Sequence, residues 1–132
     1  MAKVLDSHAL LTNLQKEPGY EKVKDILSAA AESDKRCLMT SVNWGEVFYI
    51  ILRAHGPAKA DEIARVIATF PLTVIDVGLD LARQAAVFKA AARIAYADCF
   101  AAGLAKLMHA ELVTGDDEFK RLEKDIEIRW IK

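Results

Sequence analysis

Residues 97–119 read ADCFAAGLAKLMHAELVTGDDEF, and the way this stretch divides decides the fold. Its first part, 97–110, is a strongly apolar helical segment. A helix without a broad polar face is a buried one, so this helix is expected to be central. ELVT, 111–114, follows as a short apolar strand. Thr114-Gly115 and the acids Asp116-Asp117-Glu118 then mark a turn, with DEFKRLEK, 117–124, as a short helix and IEIRWI, 126–131, as a last strand.

Working back from there, the same alternation runs through the chain. KVLD (3–6), RCLMTS (36–41) and LTVIDV (72–77) are strand candidates. Helical periodicity marks 7–16, 20–33, 42–56, 58–70 and 79–93; in 20–33, for instance, Val23, Ile26, Leu27 and Ala30 share a face. Strands that alternate with helices imply an α/β fold with a mainly parallel sheet covered on both faces. The intervening helices supply the crossovers that parallel strands require. Nothing repeats and no linker divides the chain, so one domain, 1–132, is expected.

The totals set outer bounds. Eighteen basic and nineteen acidic residues give a net charge of -1, which makes no global electrostatic case for a nucleic-acid partner. Cys37 and Cys99 lie in apolar contexts without CxxC spacing, so two buried free thiols in a reducing cytoplasm are expected rather than zinc. The start, MAKVLD, lacks the apolar core of a signal peptide. The longest uncharged run, 66–75, is about ten residues and is broken by Pro71, whereas a membrane helix needs about 18 or more.

In an open α/β sheet, ligands bind at the carboxyl ends of the strands, and acids fall there. Asp6 ends the first strand and Asp116 follows the fourth. Glu46 is the only charge between Val42 and Leu52, early in the helix after the second strand. Asp98 is the only acid between Ala90 and Ala110. Carboxylates in apolar helices are costly without compensation, and several together repel. A divalent cation is the common remedy, and an oxygen-only set selects Mg2+ or Mn2+. Each acid also has a plainer reading. Asp6 and Ser7 can cap a helix, Asp98 can complement a helix dipole, and Asp116-Asp117-Glu118 can form a solvated turn. Four acids at four corresponding ends are less easily explained by four unrelated caps.

VLDSHALL, TSVNWGEVFYIILR and ARIAYADCFAAGLAKLMHAELVTGDDEF resemble, in order, the sequence blocks of PIN domains, most closely those of VapC-type toxins of toxin–antitoxin systems. The resemblance spans nearly the whole chain. It implies a three-layer α/β/α sandwich of about five strands in the order 3-2-1-4-5, so that the first and fourth strands are neighbours. It implies an Mg2+- or Mn2+-dependent endoribonuclease, a homodimer, and a VapB-like antitoxin folded over an acidic pocket. Asp6, Glu46, Asp98 and Asp116 take the family's catalytic and metal positions. The family often ends acid-x-acid-Phe, whereas this chain has Asp116-Asp117-Glu118-Phe119; Asp117, with the shorter side chain beside Asp116, is preferred as the assisting metal ligand.

Ser7 and Thr114 adjoin the acids and can support a carboxylate or phosphate, or serve as strand-end caps. Arg93, five residues before Asp98, is a candidate phosphate contact against the commoner reading of a solvated helix-end arginine; Arg53, His55 and Lys89 are undecided. His8, His55 and His109 form no ligand spacing and read as structural or surface residues. Trp44 and Trp130 read as core or dimer contacts, and the apolar pair 42–56 and 58–70 as a dimer or antitoxin surface or simple core. Two rival functions remain in view: a PIN-fold RNA- or protein-binding module without nuclease activity, and a PIN nuclease outside any toxin–antitoxin pair. A receiver domain would need an acidic pair after the first strand, and a haloacid-dehalogenase phosphatase Asp-x-Asp; VLDSHA offers neither.

Overall fold

The computed structural model describes all 132 residues. In chain order it contains β1 (Lys3–Leu5), α1 (Ser7–Gln15), α2 (Tyr20–Ser33), β2 (Cys37–Thr40), α3 (Ser41–His55), α4 (Pro57–Ile67), β3 (Leu72–Ile75), α5 (Leu79–Ala91), α6 (Tyr96–Leu107), β4 (Glu111–Thr114), a 3-10 helix (Asp117–Leu122) and β5 (Glu127–Trp130). The strands form one sheet in the order β3-β2-β1-β4-β5, and every pairing is parallel. This is the α/β architecture expected from the alternation, without an antiparallel edge.

Period-two alternation in the strands divides the core between the two faces of the sheet. Val4 and Leu112 face α5 and α6, together with Phe119 and Leu122. Leu5, Met39 and Val113 face α1 to α4. Helix α6 is central as its composition predicts, with an unbroken buried run from Asp98 to Ala105. Gly103 permits its close approach to α5, since a Cβ there would lie 3.3 Å from the Ala85 amide nitrogen. Cys37 and Cys99 are both buried and free.

Two segments that the sequence left open take definite form. The apolar segment 42–56 was open to either a partner surface or core, and α3 buries only Asn43, Val47 and Ile51, leaving Tyr49 and Leu52 exposed. Its apolar surround is therefore not all core. The short helix expected at 117–124 is a 3-10 helix over Asp117–Leu122, with the Asp116 side chain accepting the Glu118 amide at its start. Other element ends shift by a few residues, as fraying ends do.

The topology places one crevice. The chain leaves β1 toward β2 on one side and reaches β4 on the other, so β1 and β4 are the switch point of the sheet. Their register pairs Leu5 with Val113, which sets Asp6 and the Thr114–Asp116 corner side by side at the carboxyl edge.

Candidate metal centre

Asp6 leaves β1 fully buried, at 1% exposure. One carboxylate oxygen accepts the Ala9 amide at 2.7 Å and so caps α1. The other accepts the Thr114 hydroxyl at 2.5 Å. Thr114 Oγ1 in turn accepts the Asp116 amide at 3.0 Å, so a single hydroxyl ties the two strand ends together. The capping reading of Asp6 and its place in the site are thus both true.

The other acids come from helices. Glu46 projects from α3, with Oε1 accepting the Ser7 hydroxyl. Asp98 lies in the first turn of α6. That turn is held from below by Asn43, whose amide donates to the Ala97 carbonyl at 3.0 Å. Asn43 is itself fully buried, with its side-chain oxygen accepting the Thr40 hydroxyl at 2.5 Å. Asn43 thereby links the helix that carries Glu46 to the helix that carries Asp98.

Carboxylate oxygens of Asp98, Asp116 and Glu118 all lie within 4.8 Å of one another. Glu46, Ser7 and His8 share with them a cleft of about 400 Å3. Asp6 sits beneath, one layer in. No lysine or arginine forms an ion pair with any of these five acids; the ion pairs of the chain lie at Glu62, Glu111 and Asp117. Asp98 is buried and accepts no hydrogen bond from the protein. Burial pushes its carboxyl up to about 7, and the charges of Asp116, Glu46 and Glu118 add to the rise. Burial likewise carries Asp6 up to about 7; the hydrogen bonds from Thr114 and Ala9 oppose this and the charges of Asp98 and Asp116 reinforce it. A carboxylate with no protein donor that opens onto a cleft shared with other carboxylates is short of positive charge. The donor set is all oxygen and suits a hard divalent cation.

Of the residues singled out in the sequence, Asp98 and Asp116 meet directly, Glu46 shares their cleft and Asp6 underlies it. Ser7 and Thr114 both bond a carboxylate. Asp117 does not join them: its side chain is exposed and pairs with Lys120 at 3.7 Å, while Glu118 takes the place beside Asp116. In a 3-10 turn successive residues point about 120° apart, so only one of 117 and 118 can face the cleft. Arg93 is exposed and lies outside the cleft lining, with its carbonyl bonded by Arg121. Lys89 is engaged with the Ile94 carbonyl, and Arg53 stacks over Tyr49. His8, read from the sequence as structural or surface, lines the cleft, and Asn43 is the residue that sequence reasoning passed over. His8 packs against Gly115, where a Cβ would come within 2.7 Å of the ring. Asn43 was legible only as part of Thr40-x-x-Asn43, a spacing that many helix starts share.

A family model described as PIN domain matches residues 3–125. No curated protein matches the chain by sequence. Among solved structures, DNA-bound VapBC from Salmonella typhimurium aligns with a TM-score of 0.79 at 18% identity, over 100% of this chain and 99% of that one. VapBC2 from Rickettsia felis, bound to a DNA fragment from its promoter, aligns at 0.80 with 17% identity, covering 98% of each. VapC20 of Mycobacterium tuberculosis, a sarcin-ricin loop cleaving toxin, aligns at 0.73 with 15% identity, over 97% of this chain and 99% of that one. At these identities the likeness is one of fold.

Proposed function

The chain belongs to the PIN-domain family, and from that premise we propose that it is a VapC-type endoribonuclease that hydrolyses RNA phosphodiester bonds with Mg2+ or Mn2+. The observation that carries this reading is Asp98: buried, without a donor, and grouped with Asp116 and Glu118. Asp98 and Asp116 are the central ligands in this reading, with Glu46 and Asp6 completing the catalytic set. Glu118 takes the assisting role that the sequence had suggested for Asp117. A divalent cation held by these carboxylates would supply an acidified water and positive charge to offset that on the scissile phosphate.

The remaining work falls to the chain's own groups. Thr114 fixes the Asp6 carboxylate and the Asp116 main chain in one orientation. Ser7 holds one Glu46 oxygen, leaving the other for a ligand in the cleft. Asn43 fixes the first turn of α6 and so the direction from which Asp98 approaches. The scissile phosphate belongs to an unpaired loop or strand, where bases can be reached.

We further propose a VapB-like antitoxin as partner and a homodimer as the assembled form, acting in the cytoplasm. Exposed Tyr49, Leu52 and Val66 on α3 and α4 offer apolar surface for such contacts. The direct test incubates highly purified protein with tRNA and structured RNAs in Mg2+ or Mn2+. Cleavage is expected from the wild type and at least about a hundredfold less from Asp98→Asn. Undiminished cleavage by Asp98→Asn would sink the assignment.

A further inference from the structure

A cleft larger than the acidic one lies at the opposite end of the sheet from the acids. It occupies about 590 Å3 where β1 and β2 begin, bordered by α2 and β5. Five cationic residues line it: Lys3, Lys22, Lys35, Arg36 and Arg129, against one acid, Asp25. They come from β1, α2, the α2–β2 connection and β5, so their convergence is a product of the fold and not one solvated helix face. In a chain of net charge -1, this is a strong local departure.

The cations differ in how far they are engaged. Lys3 pairs with Glu111 at 3.0 Å, and Arg129 approaches the same carboxylate only to 3.9 Å. Arg36 is held rigidly by the carbonyls of Leu72 and Phe70 and by the Thr73 hydroxyl. Lys22 and Lys35 are exposed and form no ion pair; Lys22 does not bridge to Asp25. Ile26, Ala29 and Ala30 give the cleft an aliphatic floor. Free cations around an apolar floor fit an anion that carries an organic group. The volume suits one such group, which corresponds to a nucleotide splayed from a single strand and not to a duplex face.

We propose that this basic cleft is a second RNA-binding site, in which Lys22 and Lys35 contact the phosphates of an unpaired nucleotide outside the bond that is cut. The proposal rests on the ribonuclease reading and adds to it a remote hold on the substrate. Such a site raises affinity for long single-stranded RNA through phosphate contacts and leaves the chemistry at the acids unchanged. It also separates the negative pocket, which repels RNA until a cation binds, from a positive surface that attracts it.

The test uses Lys22→Ala/Lys35→Ala, both exposed positions whose loss leaves the core intact. Binding of a labelled single-stranded RNA of about 20 nucleotides is followed by anisotropy in the Asp98→Asn background across a salt series. The double variant should bind roughly tenfold more weakly, with the slope of log affinity against log salt reduced by about 1.4, or about 0.7 per lost contact. A control with the same charge change outside the cleft, Lys59→Ala/Lys124→Ala, should change neither. Equal loss in the control, an unchanged slope in the double variant, or equal dependence on the two lysines with duplex RNA would each overturn the proposal. In the otherwise wild-type protein, the double variant should raise KM on long RNA at unchanged kcat and leave cleavage of a short oligonucleotide unaffected. If the wild type cleaves nothing while binding still depends on the two lysines, the nuclease reading fails and the cleft stands. If cleavage occurs but binding ignores them, the cleft fails alone.

Discussion

Asp98 and Asp6 make the site a source of strain for the metal-free protein. Each carboxyl titrates ordinarily at 3.8 and is raised to about 7 in the fold. A group raised in this way favours the fold fully below its unfolded value, and that contribution is lost as pH rises through the folded value. The Tm in chelator should therefore fall between about pH 4 and 7, and Asp98→Asn should flatten the decline. A cation favours the ionised carboxylates, so the rise in Tm on adding Mn2+ should be larger at pH 8 than at pH 5. A metal increment independent of pH would count against the pocket. At neighbouring positions, Glu118→Gln should weaken Mn2+ binding at least about tenfold, whereas Asp117→Asn should leave it unchanged; calorimetric titration of both variants decides the order. Glu46 and Asp98 stood out in the sequence because isolated charge in apolar helices is conspicuous, and Asp6 and Asp116 because they follow strands. The choice between Asp117 and Glu118 was not legible there, because it depends on the tight 3-10 turn set by the Asp116 cap.

Elements bring these residues together through a few buried polar contacts. Asn43 joins α3 to α6 by its bond to the Ala97 carbonyl, and it has no exposure to water. Asn43→Ala should cost about 1–3 kcal/mol, the usual penalty for stranding buried polar partners, measured by denaturant unfolding. It should also lower Mn2+ affinity, because the first turn of α6 loses its anchor; a loss of stability with affinity intact would limit Asn43 to a structural role. The alternation of strand and helix was readable from periodicity, and α6 announced its centrality by composition. Helix α3 was readable as apolar but not as core or surface: side chains such as Tyr49 and Leu52 stand on the surface there. Periodicity reports the character of a face but not what covers it.

Across the whole molecule, charge is arranged by the ends of the sheet. Acids gather at the carboxyl edge beside the β1–β4 switch point, and cations gather at the opposite edge. The strand order itself came from the family resemblance of the sequence blocks, since alternation alone does not say which strands pair. The basic cleft escaped sequence reading because its cations are spread from Lys3 to Arg129 and only the fold collects them. If the exposed apolar surface of α3 and α4 serves a second copy, light scattering after gel filtration should give twice the chain mass, and Leu52→Asp should return it to one; a monomer at all concentrations would argue against the homodimer. The central claim is that Asp6, Glu46, Asp98 and Asp116, aided by Glu118, form one divalent-cation pocket. Titration of the metal-free protein with Mn2+ at pH 7.5, followed by calorimetry, tests it most directly. Saturable binding that is lost in Asp98→Asn and retained in Asp117→Asn is predicted; equal binding by the wild type and Asp98→Asn would contradict it.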